Sequence, residues 1–288
     1  MKIIKYFLQF IVIITLFLIF KLIGYRNASN LGSKIGNIFG KFIRSDKIIL
    51  KNLSIIENYT GNKIDDEKKI VNNVFSNYGR ILSEYVYLSK FKGSLKKNIT
   101  LIGENNLREI KQKNKKVIFV SGHFNNFELM AMQIEKAGIE LATIYRPLNN
   151  VFLNRTMEKI RTENICKNQI KKGRAGSREI IKNVKNGKSI AIMIDQRVRE
   201  GEKVNFFNHL ATTTTIPAQL IKKYNCELVP VYIERIRNNY FKMFISKPIK
   251  INNKKSIIEI TKFLNDLLER MILKNIDQWI WTHNRWKD

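Results

Sequence analysis

Acidic residues, cysteine, proline and histidine are all scarce in this chain of 288 residues. Only 24 Asp and Glu stand against 52 Lys and Arg, leaving a formal net charge of +28. That balance excludes an acidic soluble enzyme and favours an anionic partner: nucleic acid, an anionic membrane surface or an acidic carrier protein. The two cysteines, Cys166 and Cys226, are too few and too far apart for a disulfide framework or a metal-binding spacing. The 4 prolines occur without any Pro/Gly/Ser-rich linker, and no internal repeat or low-complexity tract divides the chain. Any imidazole chemistry must come from His123, His209 or His283. A disordered polar chain is excluded as well, because 44% hydrophobic residues are enough to form a core.

One long apolar run is present. Residues 6–20 are interrupted only by Gln9 and Thr15, and beyond Lys21 the run continues through Leu22, Ile23, Gly24 and Tyr25. With Lys21 snorkelling, this approaches the roughly 20 residues a membrane-spanning helix needs. Lys2 and Lys5 would suit a signal peptide, but no small-x-small cleavage site follows. The expectation is an uncleaved membrane anchor over residues 1–25 and a single body over 26–288. Basic residues after the run (Lys21, Arg26, Lys34, Lys41, Arg44, Lys47) outnumber those before it, which places the body on the cytoplasmic side. No later segment reaches 18 apolar residues.

In the body, apolar positions from Ile70 to Val86 recur with helical spacing over residues 65–89. Strand-like runs then alternate with helical ones. Strands are expected at 117–120, 141–145, 189–194, 228–233 and 241–245. Helices are expected at about 126–136, 177–186 and 217–223, with a last one through Ile257, Leu264 and Met271. The alternation argues for an α/β fold with a mixed, mainly parallel sheet flanked by helices. Such sheets carry their chemistry in loops after the carboxyl ends of strands, here after Val120, Tyr145 and Ile194.

The first of these loops reads Ser121, Gly122, His123, Phe124, Asn125, Asn126, Phe127, Glu128. Glu128 falls in the first turn of the next helix, with Asn125 or Asn126 as its cap. From there its carboxylate could reach one ring nitrogen of His123, fix the tautomer and raise the basicity of the other nitrogen. Taken alone, H-x4-E reads more plainly as a loop histidine bonded to backbone beside a helix-capping glutamate. A serine hydrolase lacks its G-x-S-x-G elbow, and no second histidine lies at ligand spacing, so no metal is expected. Context strengthens the catalytic reading. Arg146, Pro147, Leu148, Asn149 and Asn150 follow the second strand, and Asp195, Gln196 and Arg197 follow the third. A basic stretch from Lys171 to Arg178 lies between them.

Taken in order, these motifs resemble the lysophospholipid-acyltransferase-like superfamily. Within it they resemble the lipid A biosynthesis (late) acyltransferases, of the lauroyl/myristoyl type, which use acyl-acyl carrier protein. The resemblance rests on Gly122-His123 to Glu128, then Tyr145-Arg146-Pro147 with Asn149-Asn150, then Lys172-Gly173-Arg174 with Gly176 and Arg178. It continues through Asp195-Gln196 with Gly201, Val204 and Phe206-Phe207, and ends in the tail Gln278, Trp281, His283, Arg285, Trp286. It covers about residues 115–287. Asn205 stands where the family has Pro, Asn208 where it has Gly, and Val151 where Pro is common.

The resemblance implies a glycerolipid-acyltransferase-like sandwich behind one N-terminal anchor helix. It implies O-acyl transfer from acyl-carrier protein to a hydroxyl of a lipid A precursor, at the inner membrane and without a cofactor. His123 would be the general base and Glu128 the residue that orients it. Arg146, Asn149, Asn150, Arg174, Asp195 and Gln196 form the expected substrate-binding set. Arg146 and Arg174 would serve the oxyanion or acceptor phosphates, or else pair with structural carboxylates. Asp195 would hold one of those arginines, or cap a turn. The alternative acceptor is a lysophospholipid, glycerol phosphate or another glycolipid. The inner leaflet, the phosphorylated glycolipid and the acidic carrier account for the charge of +28 without nucleic acid, for which no basic stripe interleaved with aromatics is present. His209 is expected to be structural or exposed, and His283 to pack the terminal segment or sit at the interface.

Overall fold

The computed structural model describes residues 2–237 and 239–287. Among these, four long helices precede the first strand: α1 (Lys2–Ile23), α2 (Tyr25–Ile43), α3 (Lys47–Thr60) and α4 (Glu67–Glu84). After a single turn, α5 (Leu88–Phe91), strands and helices alternate. They run β1 (Ile99–Ile102), α6 (Glu104–Gln112), β2 (Val117–Ser121), α7 (Glu128–Lys136), β3 (Leu141–Tyr145), α8 (Val151–Asn164), β4 (Asn168–Lys171) and α9 (Arg174–Lys185). The chain then passes through β5 (Ser189–Met193), β6 (Glu202–Phe206), β7 (His209–Thr213), α10 (Ile216–Tyr224), β8 (Glu227–Arg237), β9 (Tyr240–Ile245) and α11 (Ile257–Lys274).

Seven strands form one sheet in the order β1-β9-β8-β2-β5-β3-β4. Only the β8–β9 pair is antiparallel. This is the mixed, mainly parallel sheet expected from the alternation, with helices covering it. β2 lies at its centre, and all five of its residues are buried, as a strand covered on both faces should be. β6 and β7 make a separate hairpin. Its turn residues Phe207 and Asn208 have φ of 52° and 59°. Asn208 tolerates this left-handed conformation, so the missing glycine leaves the turn intact.

Thr212 and Thr213 end β7, and α10 begins at Ile216 with Thr215 as an N-cap residue that makes no side-chain capping bond. α7 is likewise preceded by Phe127 rather than capped by Asn125 or Asn126. Both asparagines are engaged elsewhere.

α2 and α4 cross in close contact because glycines line both sides. A Cβ placed on Gly36 would overlap the carbonyl of Phe75, and one on Gly79 would overlap the carbonyl of Gly32. These obstacles are backbone, so they cannot turn aside. Gly79→Ala should force the helices apart and cost about 1–3 kcal/mol. A lower thermal unfolding midpoint in detergent is the expected result; an unchanged one would show that the crossing yields freely.

α1 is 22 residues long and leaves only Phe17 and Phe20 buried. At 1.5 Å per residue it rises about 33 Å, enough to cross a hydrocarbon core of about 30 Å. Its amino-terminal half packs on α8 through Phe7 and Phe10 against Phe152.

Candidate active site

His123 and Asp195 meet because of strand register. β2 and β5 run parallel, with Ser121 opposite Met193. Each strand then turns outward, and the second residue past each register partner is His123 on one strand and Asp195 on the other. The two loops are tied where they leave the sheet, by the Ile194 amide donating to the Ser121 carbonyl at 2.9 Å. Gly122 permits the approach: a Cβ there would stand 2.9 Å from Leu268 Cδ1 and 3.2 Å from Asp195 Oδ2.

Asp195 is fully buried and its carboxylate is bonded on both oxygens. Oδ1 lies 2.7 Å from His123 Nδ1, and Oδ2 accepts from the His123 backbone amide at 2.7 Å and from Trp279 Nε1 at 2.9 Å. Burial alone would raise its carboxyl, but the neighbouring His123 and these bonds hold it below its ordinary value. An ionised carboxylate only accepts, so Nδ1 carries the proton and the lone pair of neutral His123 is on Nε2. Burial also opposes the imidazolium. Asp195, helped by the charge of Glu128, outweighs it and holds the His123 pKa above its ordinary value. The ring remains 19% exposed, so an acceptor can reach it.

Glu128 does not take the place expected for it. His123 Nδ1 is occupied by Asp195, and Glu128 turns instead to Arg161 and Tyr85. Arg161 donates through Nε and Nη2 to Glu128 Oε1, at 3.0 and 2.9 Å, and the Tyr85 hydroxyl donates to the same oxygen. Arg161 Nη2 also donates to the Tyr85 hydroxyl at 2.9 Å. The reason is geometric: α7 starts at Glu128 itself, and the side chain leaves the first turn towards α4 and α8. Asp195, expected to hold an arginine or to cap a turn, holds a histidine and a tryptophan instead.

The remaining expected residues divide. Asn150 is buried and its amide is engaged within the protein. Oδ1 accepts from the amides of Phe152 and Leu153, capping α8, while Nδ2 donates to the Tyr6 carbonyl at 2.8 Å and to Gln9 Oε1 at 3.4 Å. It ties α1 to the body and gives a partner to Gln9, a polar residue inside the apolar run. Arg146, Asn149 and Arg174 are exposed, and none of the described residues bonds the side chain of either arginine. Arg146 stands beside Lys172, whose ammonium is pushed down by partial burial and by that guanidinium. With Arg174, they form a cluster of cations at the ends of β3 and β4. Gln196 is half-buried next to Asp195. His209 is exposed. His283 packs inside, where burial pushes it down to about 4, and its Nε2 accepts from the Arg197 amide at 2.8 Å.

Behind the His123 loop lies a polar network that sequence reading missed. Glu84 and Arg235 form a buried two-point ion pair, at 2.8 and 3.0 Å. Glu84 also accepts from Ser29 and Asn126, each at 2.7 Å. Arg235 Nε donates to Asn125 Oδ1 at 3.0 Å, and Gln278 Oε1 accepts from the Arg235 amide and from Asn125 Nδ2. Asn125 sits at φ 42°, a left-handed conformation held by these partners.

A carboxylate-oriented imidazole whose Nε2 is bonded by none of the described residues, at the ends of the two central strands, is equipped to take a proton from a hydroxyl. Comparison with known proteins gives the family. The profile of the bacterial lipid A biosynthesis acyltransferases matches residues 1–288. The lipid A biosynthesis palmitoleoyltransferase of Escherichia coli (strain K12) is 24% identical over 264 residues, covering 89% of this chain and 84% of that protein. The lipid A biosynthesis acyltransferase of Shigella flexneri is similar to the same extent. The chain belongs to the bacterial lipid A biosynthesis acyltransferase family.

Proposed function

We propose that this protein moves a fatty acyl chain from acyl-carrier protein to a hydroxyl of a lipid A precursor, with His123 as general base. The observation that carries the reading is the His123–Asp195 bond, which leaves Nε2 as the free proton acceptor. Nε2 takes the hydroxyl proton as the acceptor oxygen attacks the thioester carbonyl. The tetrahedral intermediate collapses with loss of the carrier's thiolate, which recovers the proton from the imidazolium. An ester and free carrier result, with no acyl-enzyme. Asp195 stabilises the imidazolium through contact. Glu128 adds its charge at longer range and holds Arg161, whose charge reaches His123, where it can serve the oxyanion. That assigns to Arg161 a part the sequence suggested for Arg146 or Arg174. The exposed cluster of Arg146, Lys172 and Arg174 is left to grip acceptor phosphates.

α1 is proposed to hold the body against the cytoplasmic face of the inner membrane, where an anionic leaflet meets the basic surface. The domain division at residue 25 belongs to the same reading. A direct transfer assay tests it. Purified protein in detergent receives a panel of medium and long acyl-carrier proteins and a tetraacylated lipid A precursor, with and without its Kdo sugars. Products are read by mass spectrometry. The expected result is one added acyl mass that His123→Ala abolishes. Equal product from that variant would overturn the role of His123. No product from either, beside an active control enzyme, would move the acceptor to a lysophospholipid, glycerol phosphate or another glycolipid.

A further inference from the structure

The carboxyl-terminal segment 278–286 bonds to the His123 loop, to Asp195 and the turn after it, and to the β6–β7 hairpin. Gln278 accepts the Asn125 amide through its backbone carbonyl at 2.9 Å, and its side chain bridges Asn125 to Arg235. Trp279 pairs with Phe124 in an isolated β-bridge and donates its indole N–H to Asp195 Oδ2. His283 holds the turn after Asp195 through the Arg197 amide. Arg285 is buried and donates to the Thr212 carbonyl at 2.7 Å and to Thr213 Oγ1 at 2.6 Å. Trp286 donates to the Phe206 carbonyl and stacks on the Phe206 ring at 5.3 Å. Asn52 of α3 ties the segment down by donating to the carbonyls of Trp281 and His283, each at 2.9 Å.

We infer that this segment is a positioning device for the His123–Asp195 pair, in which Trp279 fixes the Asp195 carboxylate and His283 fixes the turn that carries it. Of the donors to Asp195, the His123 amide comes with the loop and the His123 ring is the working group. The indole N–H is the one contributed from outside, by a buried side chain. Beyond the pair itself, the charged and titratable groups that bear on it are Glu128 of α7, Arg161 of α8, Tyr78 of α4, and His283 and Arg285 of the segment. None of these bonds Asp195 among the described residues. Removing the indole N–H therefore leaves Oδ2 with one donor. The carboxylate becomes more basic, the imidazolium is better stabilised, and the His123 pKa rises. His123 acts as a base only when neutral, so the acid limb of kcat/KM moves to higher pH by the same amount.

The inference rests on His123 being the base of acyl transfer, and its test has a readout that does not need turnover. With three histidines in the chain, isotope-labelled imidazoles can be titrated by NMR and assigned with His209→Asn and His283→Gln. In Trp279→Phe, the His123 midpoint should rise by about half a unit to one unit. In the transfer assay, kcat should fall about tenfold with KM within about twofold, and the acid limb should follow the midpoint. A folded Trp279→Phe protein with an unmoved His123 midpoint overturns the inference. A wild-type titration as expected, with no transfer activity, would instead overturn the proposed reaction and leave the inference standing. Should Trp279→Phe fail to fold, His283 carries the test. His283→Gln keeps an acceptor for the Arg197 amide and should retain kcat, whereas His283→Leu should lose it with KM unchanged. Equal losses in the two would show that the segment merely packs.

Discussion

Asp195→Asn lowers kcat for acyl transfer by about 10³–10⁴-fold while leaving KM nearly unchanged. The expectation follows from atom types. Asp195 Oδ2 accepts from the His123 amide and from Trp279 Nε1, so an asparagine at this position keeps its carbonyl oxygen there. Its amide nitrogen then faces His123 Nδ1, where Oδ1 now stands at 2.7 Å. An amide donates where a carboxylate accepted. Nδ1 becomes the acceptor, the ring proton moves to Nε2, and the base is lost although the fold and the site keep their shape. The imidazolium also loses its buried counter-charge. The check is steady-state kinetics beside a thermal melt, because the variant should melt close to wild type while turning over almost not at all. A loss of less than tenfold would return the orienting role to Glu128.

That assignment shows what could be read from the sequence and what could not. The alternation of strands and helices was legible because β2, β3, β5, β8 and β9 are short apolar runs between amphipathic stretches, and β3 matches residue for residue. The loop after β2 was legible as a site because His123 follows a buried strand and precedes a helix. The partner of His123 was not, because it depends on β2 and β5 being neighbours with Ser121 opposite Met193. Glu128 is near in sequence, while Asp195 is near only in the sheet. Elements with mixed polarity also escaped. α8 carries Arg155, Lys159 and Arg161 among its apolar residues, β4 is Asn168-Gln169-Ile170-Lys171, and the β6–β7 hairpin has exposed His209 and Leu210. Arg161 was missed because it lies on such a helix. Glu84 carries no signal of its own within an amphipathic helix, since only tertiary contact places Arg235 against it. The tail motif was legible as a family signature, but its bonds to Asp195, Arg197 and Phe206 join residues that are far apart in the chain.

Arg235→Met should destabilise the protein by about 3–5 kcal/mol, the range for a buried ion pair stripped of one partner. Glu84 has no exposed side-chain surface and would keep only Ser29 and Asn126 as donors to a buried negative charge. Asn125 would lose the guanidinium that helps hold its left-handed backbone, and with it the loop that carries His123. At roughly 2 °C per kcal/mol for a chain of this size, the unfolding midpoint in detergent should fall by about 6–10 °C. A second change separates the buried charge from the lost packing. Glu84→Gln alone leaves Arg235 without its counter-charge and should also destabilise. Glu84→Gln combined with Arg235→Met removes both charges, keeps an acceptor for Ser29, and should melt above the Arg235→Met protein. Its activity should stay below wild type, because Asn125 remains without Arg235. A double variant that melts at the sum of the two single losses would mean that the pair contributes no coupling.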